Sequence, residues 1–242
     1  MKKSICRANV SARKRWSIAA MLVATVTLAS CNSNSSTGAD PTGALTGITL
    51  DTTTDAAYAY APVIDSDVSL PGFDYTKMRE RYLRRVVKLK TRYKAGTIII
   101  DTTGPYLYLV QPGNRALRYG IAVGKEGFEW AGDAKVKWKQ KWPTWTPPSE
   151  MIARSPKLAI YADGMPAGVQ NPLGARAMYL FKDGRDTMYR IHGTNKPFSI
   201  GKNASSGCFR MINQDVIHLY ERVTSGAQVI VRHAPPDYSE SR

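Results

Sequence analysis

Short runs of β-branched and aromatic residues, separated by Gly, Pro and Asn, dominate the chain from about residue 95 onward. In "GTIIIDTTGPYLYLV", Thr97–Asp101 and Tyr106–Val110 flank Thr-Thr-Gly-Pro, the pattern of a hairpin. "ALRYGIAVG" follows a Pro-Gly-Asn turn and predicts another strand. "KVKWKQKW", residues 135–142, alternates with period two. That places Lys135, Lys137, Lys139 and Lys141 on a solvated basic face and Val136, Trp138, Gln140 and Trp142 on the other. "MYRIHG" predicts a strand ending at His192, and "QVIVR" a last strand. "NQDVIHLYERV", residues 213–223, is the best helix, with Asn213 as its cap and Ser225-Gly226 beyond its end. Short strands prevail, so the fold class is mainly β, a sandwich or barrel with a minor helix, without internal repeats.

Upstream the pattern changes. A basic leader (Lys2, Lys3, Arg7, Arg13, Lys14, Arg15) precedes an apolar run, Ile18–Leu28, broken only by Thr25 and Thr27. The run is shorter than the roughly 20 apolar residues of a membrane-spanning helix. Residues 1–30 therefore read as an export signal. Lys14 interrupts a twin-arginine pair, which points to the general export route. "LASC", ending at Cys31, resembles a bacterial lipobox, so Cys31 is a lipidation candidate; ordinary cleavage near Ser30 is the alternative. Asn32 after Cys31, in place of Asp, favours the outer membrane of a Gram-negative envelope. Residues 31–65, rich in Ser, Thr, Ala, Asp and Gly, read as a flexible tether. Residues 66–94 form a peripheral lead-in: Met78, Tyr82 and Val86 have helical spacing, yet "RRVVKLKTRY" is equally compatible with a strand. Residues 95–233 make the compact domain and 234–242 a tail.

Charge and cysteine usage narrow the partners. The formal net charge is +15; removing the six leader cations leaves 28 bases against 19 acids, or +9. Export argues against nucleic acid and leaves cell-wall carboxylates and membrane head groups as the polyanions within reach. Of the three cysteines, Cys6 leaves with the signal and Cys31 would carry lipid. Cys208 then has no partner within the chain in a compartment that favours disulfides, which flags it as reactive; a buried inert thiol is the plain alternative.

The chemistry concentrates in "YRIHGTNKPFSIGKNASSGCFRM", residues 189–211. A thiol that attacks a carbonyl must be deprotonated, reachable and close to donors for the developing oxyanion. His192 would supply the first, as an imidazolium that lowers the thiol pKa or as a base. Gly207 opens the backbone to substrate, and amides around Ser206, Gly207 and Cys208 would supply the donors.

"IHGTN…SSGCFRM" resembles the active-site signature of the YkuD-type L,D-transpeptidases, the ErfK/YbiS/YcfS/YnhG group. The likeness extends through "YGIAVGKEGFEWAG", "WPTWTPPSEMI" and "NPLGARAMYL", about residues 95–232. It implies the mainly β catalytic domain of that family. It also implies a cysteine that attacks the peptide bond after the third residue of a peptidoglycan stem. D-Ala leaves and an amine resolves the thioester, giving a 3–3 cross-link or attachment of an envelope protein. Carried over, Cys208 is the nucleophile, His192 the general base, and Gly193 the backbone carbonyl that orients His192. The amides of Gly207 and Cys208 are the oxyanion donors. Many relatives have a second histidine where this chain has Ser206, which removes proton shuttling at that position. Arg210, with Ser205 and Ser206 beside the thiol, is a candidate site organiser or carboxylate anchor; a purely structural ion pair is an equal reading for Arg210.

The resemblance leaves other outcomes open. Water as acceptor would make an L,D-carboxypeptidase, and a silent centre would leave a wall-binding lipoprotein. The expected location is the envelope, facing the periplasm. Its partners would be stem peptides, the membrane through Cys31 and an acceptor protein. No cofactor or metal is expected: no HxxEH or H-x-H pair and no Walker or dinucleotide glycine pattern occurs. A papain-like protease would place its cysteine before its histidine. His218 reads as a packing residue, His233 as tail, and Trp142 and Trp145 as structural before cleft-lining.

Overall fold

The computed structural model describes residues 56–124, 130–204, 208–235 and 238–239. The signal, Cys31 and most of the tether lie outside these residues, as do Ser205, Ser206 and Gly207.

The elements in chain order begin with α1 (Ala56–Ala59), β1 (Val63–Asp65), β2 (Val68–Leu70) and β3 (Arg85–Leu89). There follow β4 (Ile98–Asp101), β5 (Tyr106–Gln111), β6 (Arg115–Gly120), β7 (Ala122–Gly124) and β8 (Gly132–Lys141). The second half holds α2 (Ser149–Arg154), β9 (Arg176–Lys182), β10 (Arg185–His192), β11 (Asn203–Ala204) and β12 (Phe209–Arg210). The chain closes with α3 (Asn213–Arg222), β13 (Gln228–Arg232) and β14 (Tyr238–Ser239). The class is mainly β, as the strand-rich pattern predicts.

Among the described residues, twelve strands run in one sheet, in the order β11-β7-β12-β10-β9-β8-β13-β4-β5-β6-β3-β14. A twisted sheet of that width curls. Its core reflects this: Ile98, Leu107 and Leu117 from β4–β6 pack in one cluster with Met178, Ile191 and Phe209 from β9, β10 and β12. Val216, Leu219 and Val223 bring α3 into the same cluster. The β4–β5 hairpin falls where the sequence pattern puts it, Ile98 opposite Leu109 and Asp101 opposite Tyr106. Asp101 holds the connecting turn by accepting from the backbone N–H of Thr103 at 2.9 Å and Gly104 at 3.0 Å.

Three expectations are corrected. The first concerns β8. Its register against β9 shifts between Val136 and Trp138, a bulge that adds one residue. Side chains past it exchange faces, because strand periodicity is two. Trp138 is 54% exposed, stacked on Tyr179 with ring centroids 4.5 Å apart. Lys139 turns inward instead of joining a basic face. Its Nζ donates to the carbonyls of Tyr220, at 2.6 Å, and Val223, at the C-terminal end of α3. Burial lowers its pKa.

The second concerns the tether and lead-in. Residues 56–65 are folded: Tyr60 is buried, and its hydroxyl donates to Asp215 Oδ2 at 3.2 Å while accepting from Arg84 N at 2.8 Å. Asp65 pairs with buried Arg176. The 66–94 stretch holds β2, paired with β1, then two 3₁₀ turns, Tyr75–Lys77 and Glu80–Tyr82, and β3, which pairs with β6. Tyr82, Leu83, Val87 and Leu89 are buried, so the segment builds core and is not peripheral. A few well-placed aromatic and charged residues dock a stretch whose average composition is polar.

The third concerns Asn213. The cap position of α3 is Ile212, without a side-chain cap bond, and the Asn213 side chain is used elsewhere.

Candidate active site

β10 and β12 run parallel, with Ile191 opposite Phe209 and His192 opposite Arg210. Alternation along each strand then sorts the residues. Ile191 and Phe209 face the core. His192, Arg210 and Cys208 share the other face, with Arg190 two positions before His192. The backbone holds this segment on both sides: Met211 N donates to His192 O of β10 at 2.8 Å, and Gly124 N of β7 donates to Cys208 O at 3.2 Å. Neighbouring strands lie about 4.8 Å apart and residues about 3.3 Å along them, so the Cα atoms of His192 and Cys208 are on the order of 8 Å apart. Their side chains line one cavity of about 460 Å³.

The imidazole orientation is set locally. Nδ1 of His192 is 2.6 Å from the carbonyl oxygen of Gly193. A carbonyl only accepts, so Nδ1 carries the proton and Nε2 keeps its lone pair. Burial pushes the His192 pKa down to about 4, the Arg210 charge adds to this, the Gly193 hydrogen bond opposes it, and Arg190 lowers it further. His192 is thus neutral near pH 7. The expected imidazolium is disfavoured because the ring is buried and the Arg210 and Arg190 charges oppose it, and the geometry suits a neutral base.

Arg210 is half-buried on the cavity wall. Burial lowers its pKa, and a thiolate at Cys208 acts in the opposite direction. Arg210 is therefore electrostatically coupled to the sulfur. Cys208 itself is half-buried, reachable from the cavity and outside any disulfide.

The opposite cavity wall comes from the stretch between β8 and β9. Trp145 and Met165 exchange backbone hydrogen bonds, Trp145 N to Met165 O at 3.0 Å and the reverse at 2.7 Å. Met151 of α2, then Leu158 and Tyr161 of the 3₁₀ turn Pro156–Tyr161, face the cavity with Trp145. Buried Asn171 anchors this wall: its amide donates to the carbonyls of Pro143 at 3.0 Å, Met165 at 3.2 Å and Pro166 at 3.0 Å. Trp145 lines the cleft, whereas Trp142 is structural, its indole N–H donating to Asp65 Oδ2 at 2.7 Å. Sequence reasoning passed over Met151, Leu158, Tyr161 and Met165, since no spacing marks apolar residues in an irregular segment as cavity-lining.

The remaining histidines sit away from this cavity. His218 is packed against Tyr119, Nδ1 2.8 Å from its hydroxyl. His233 Nδ1 is 2.8 Å from Thr102 Oγ1. Among the described residues, no group of three or more His, Cys, Asp or Glu is placed to hold a metal ion, and no helix is long and apolar enough to cross a membrane.

The YkuD profile, an L,D-transpeptidase catalytic domain, matches residues 95–231. The probable L,D-transpeptidase ErfK/SrfK of Escherichia coli K12 is 34% identical over 151 residues, 59% of this chain and 46% of that protein. The probable L,D-transpeptidase YbiS of the same strain is 37% identical over 142 residues, 54% of this chain and 43% of that protein. The chain therefore spans under half the length of these curated relatives. A solved chain from Brucella melitensis, described as a probable carnitine operon oxidoreductase, is 49% identical. It covers 66% of this chain and 99% of its own length at a TM-score of 0.45. Its description differs from those of the two curated relatives and stays with that protein.

Proposed function

Because this chain belongs to the YkuD family of L,D-transpeptidase catalytic domains, we propose that it transfers peptidoglycan stem peptides through a thioester on Cys208. The observation that carries the reading is the His192 ring, its Nδ1 2.6 Å from Gly193 O, lining the same cavity as Cys208.

In the first half-reaction, Nε2 of His192 takes the Cys208 thiol proton as Sγ attacks the carbonyl of the third stem residue. Backbone amides at Gly207 and Cys208 hold the oxyanion. The C–N bond to D-Ala breaks, and the leaving amine receives the proton from His192. In the second, an amine attacks the thioester, His192 takes its proton, and Cys208 is released as the thiol. Ping-pong kinetics follow. Arg210, coupled to the sulfur, favours its anionic form and repels an imidazolium at 192, so the proton moves onward to the leaving group.

The acceptor amine belongs to a neighbouring stem or to an envelope protein. The proposed location is the periplasm-facing envelope, with Cys31 lipidated in the outer membrane. Tetrapeptide muropeptides incubated with purified protein, with products read by mass, test this. Dimers lacking one D-Ala are expected. Tripeptide monomers alone would make the enzyme a carboxypeptidase, and unchanged substrate would leave a silent wall-binding lipoprotein.

A further inference from the structure

We propose that Asn213 is a positioning residue for His192, acting through the Gly193–Thr194 peptide group; its catalytic consequence rests on the thioester reading above. The Asn213 side chain is buried at the start of α3 but contributes no cap to that helix. Its Oδ1 accepts from Ala175 N at 2.9 Å and from Thr194 N at 3.3 Å, and its Nδ2 donates to Thr194 O at 3.0 Å. Only this amide orientation fits, since two N–H donors face one end and a carbonyl the other.

The Gly193 carbonyl and the Thr194 N–H belong to one peptide group. In a trans peptide they point in opposite directions. Holding the Thr194 N–H on one side therefore aims the Gly193 oxygen to the other, where it stands 2.6 Å from His192 Nδ1. Gly193 N donating to Arg176 O at 3.0 Å fixes the preceding peptide. The approach needs glycine twice: a Cβ at Gly174 or at Gly193 would collide with Asn213 Oδ1. Asn213 thus ties two backbone segments together and sets the tautomer of the ring through the backbone.

Imidazole nitrogen NMR on the full chain tests this, run beside acylation of Cys208 by a carbapenem-type β-lactam followed by protein mass. The wild-type His192 should show a single tautomer protonated at Nδ1. Asn213→Ala should add the second tautomer and slow acylation at pH 7 about tenfold or more, part of the 10²–10⁴ that a positioned base contributes. Asn213→Asp keeps an acceptor for the Ala175 and Thr194 N–H groups, and its second oxygen, buried against the Thr194 carbonyl, is held protonated and donates there as the amide did. It should keep the single tautomer and acylate within a few-fold of wild type. A single tautomer in Asn213→Ala with acylation within twofold of wild type would overturn the proposal. If Asn213→Ala does not fold, loss of the single tautomer in Asn213→Asp would do the same. A wild-type chain that holds the single tautomer yet is never acylated would overturn the thioester reading instead, while the tautomer comparison would still decide the role of Asn213.

Discussion

Asp65 and Arg176, 111 positions apart, form a salt bridge in which the guanidinium is buried and both its terminal nitrogens meet the carboxylate. The indole of Trp142 donates to the same carboxylate. Hydrogen bonding to Arg176 holds the Asp65 carboxyl below its ordinary range against the opposing effect of burial. The pair fastens β1, which precedes the family-matched region, to β9 inside it. Removing one member would leave a buried cation only partly compensated, with Glu221 at 3.6 Å as its remaining acid. Asp65→Asn should therefore cost about 3 kcal/mol in denaturant unfolding. A loss below about 0.5 kcal/mol would mean that β1 is dispensable.

A buried histidine and a half-buried one should make the fold acid-sensitive. The folded-state pKa of His192 is about 4 and that of His218 about 2, both below the ordinary 6.5 and both mainly through burial. Between these values and 6.5 the unfolded chain binds more protons than the folded one. Stability is then complete above about pH 6.5 and is lost as pH falls toward the folded pKa values. His192 alone should account for about 2 kcal/mol between pH 7 and pH 5. Urea unfolding at the two pH values, compared with His192→Gln, checks this. The variant should lose correspondingly less on acidification.

The bulge in β8 predicts unequal lysines. Lys139 supplies two hydrogen bonds to carbonyls at the C-terminal end of α3. Lys139→Ala should cost about 1–2 kcal/mol, from those bonds and the favourable field at a helix C-terminus. Lys137 is exposed, and Lys137→Ala should lie within about 0.5 kcal/mol of wild type. Equal effects on thermal unfolding would contradict the register assigned here.

Much of this fold could be read from the chain. The β4–β5 hairpin, the strand ending at His192, α3 and β13 all follow from period and turn chemistry over a few residues. The proposed pair, His192 and Cys208, stands out because each has a glycine beside it. What sequence reading missed has non-local causes. The β8 bulge inserts one residue with no compositional mark, so a clean Lys alternation gave the wrong face to Trp138 and Lys139. Asn213 stands where an N-cap would, and only the approach of Gly174 and Gly193 reveals its other use. Residues 56–65 look like tether because composition averages over Tyr60 and Asp65, whose partners Asp215 and Arg176 lie far along the chain.

The acid limb of catalysis should reflect a neutral base. With His192 at about 4, acylation should hold from pH 7 to pH 5 and fall only as pH approaches 4. A fall centred near 6.5 in rapid-mixing acylation kinetics would show an exposed imidazole instead.

The most direct measurement is the protein's own mass after mixing with a tetrapeptide muropeptide donor and no acceptor amine. The account predicts an adduct on Cys208 equal to the donor minus D-Ala, absent in Cys208→Ala and formed about 10²–10⁴ more slowly in His192→Ala. Product formation by Cys208→Ala at the wild-type rate, or an unslowed adduct in His192→Ala, would contradict it.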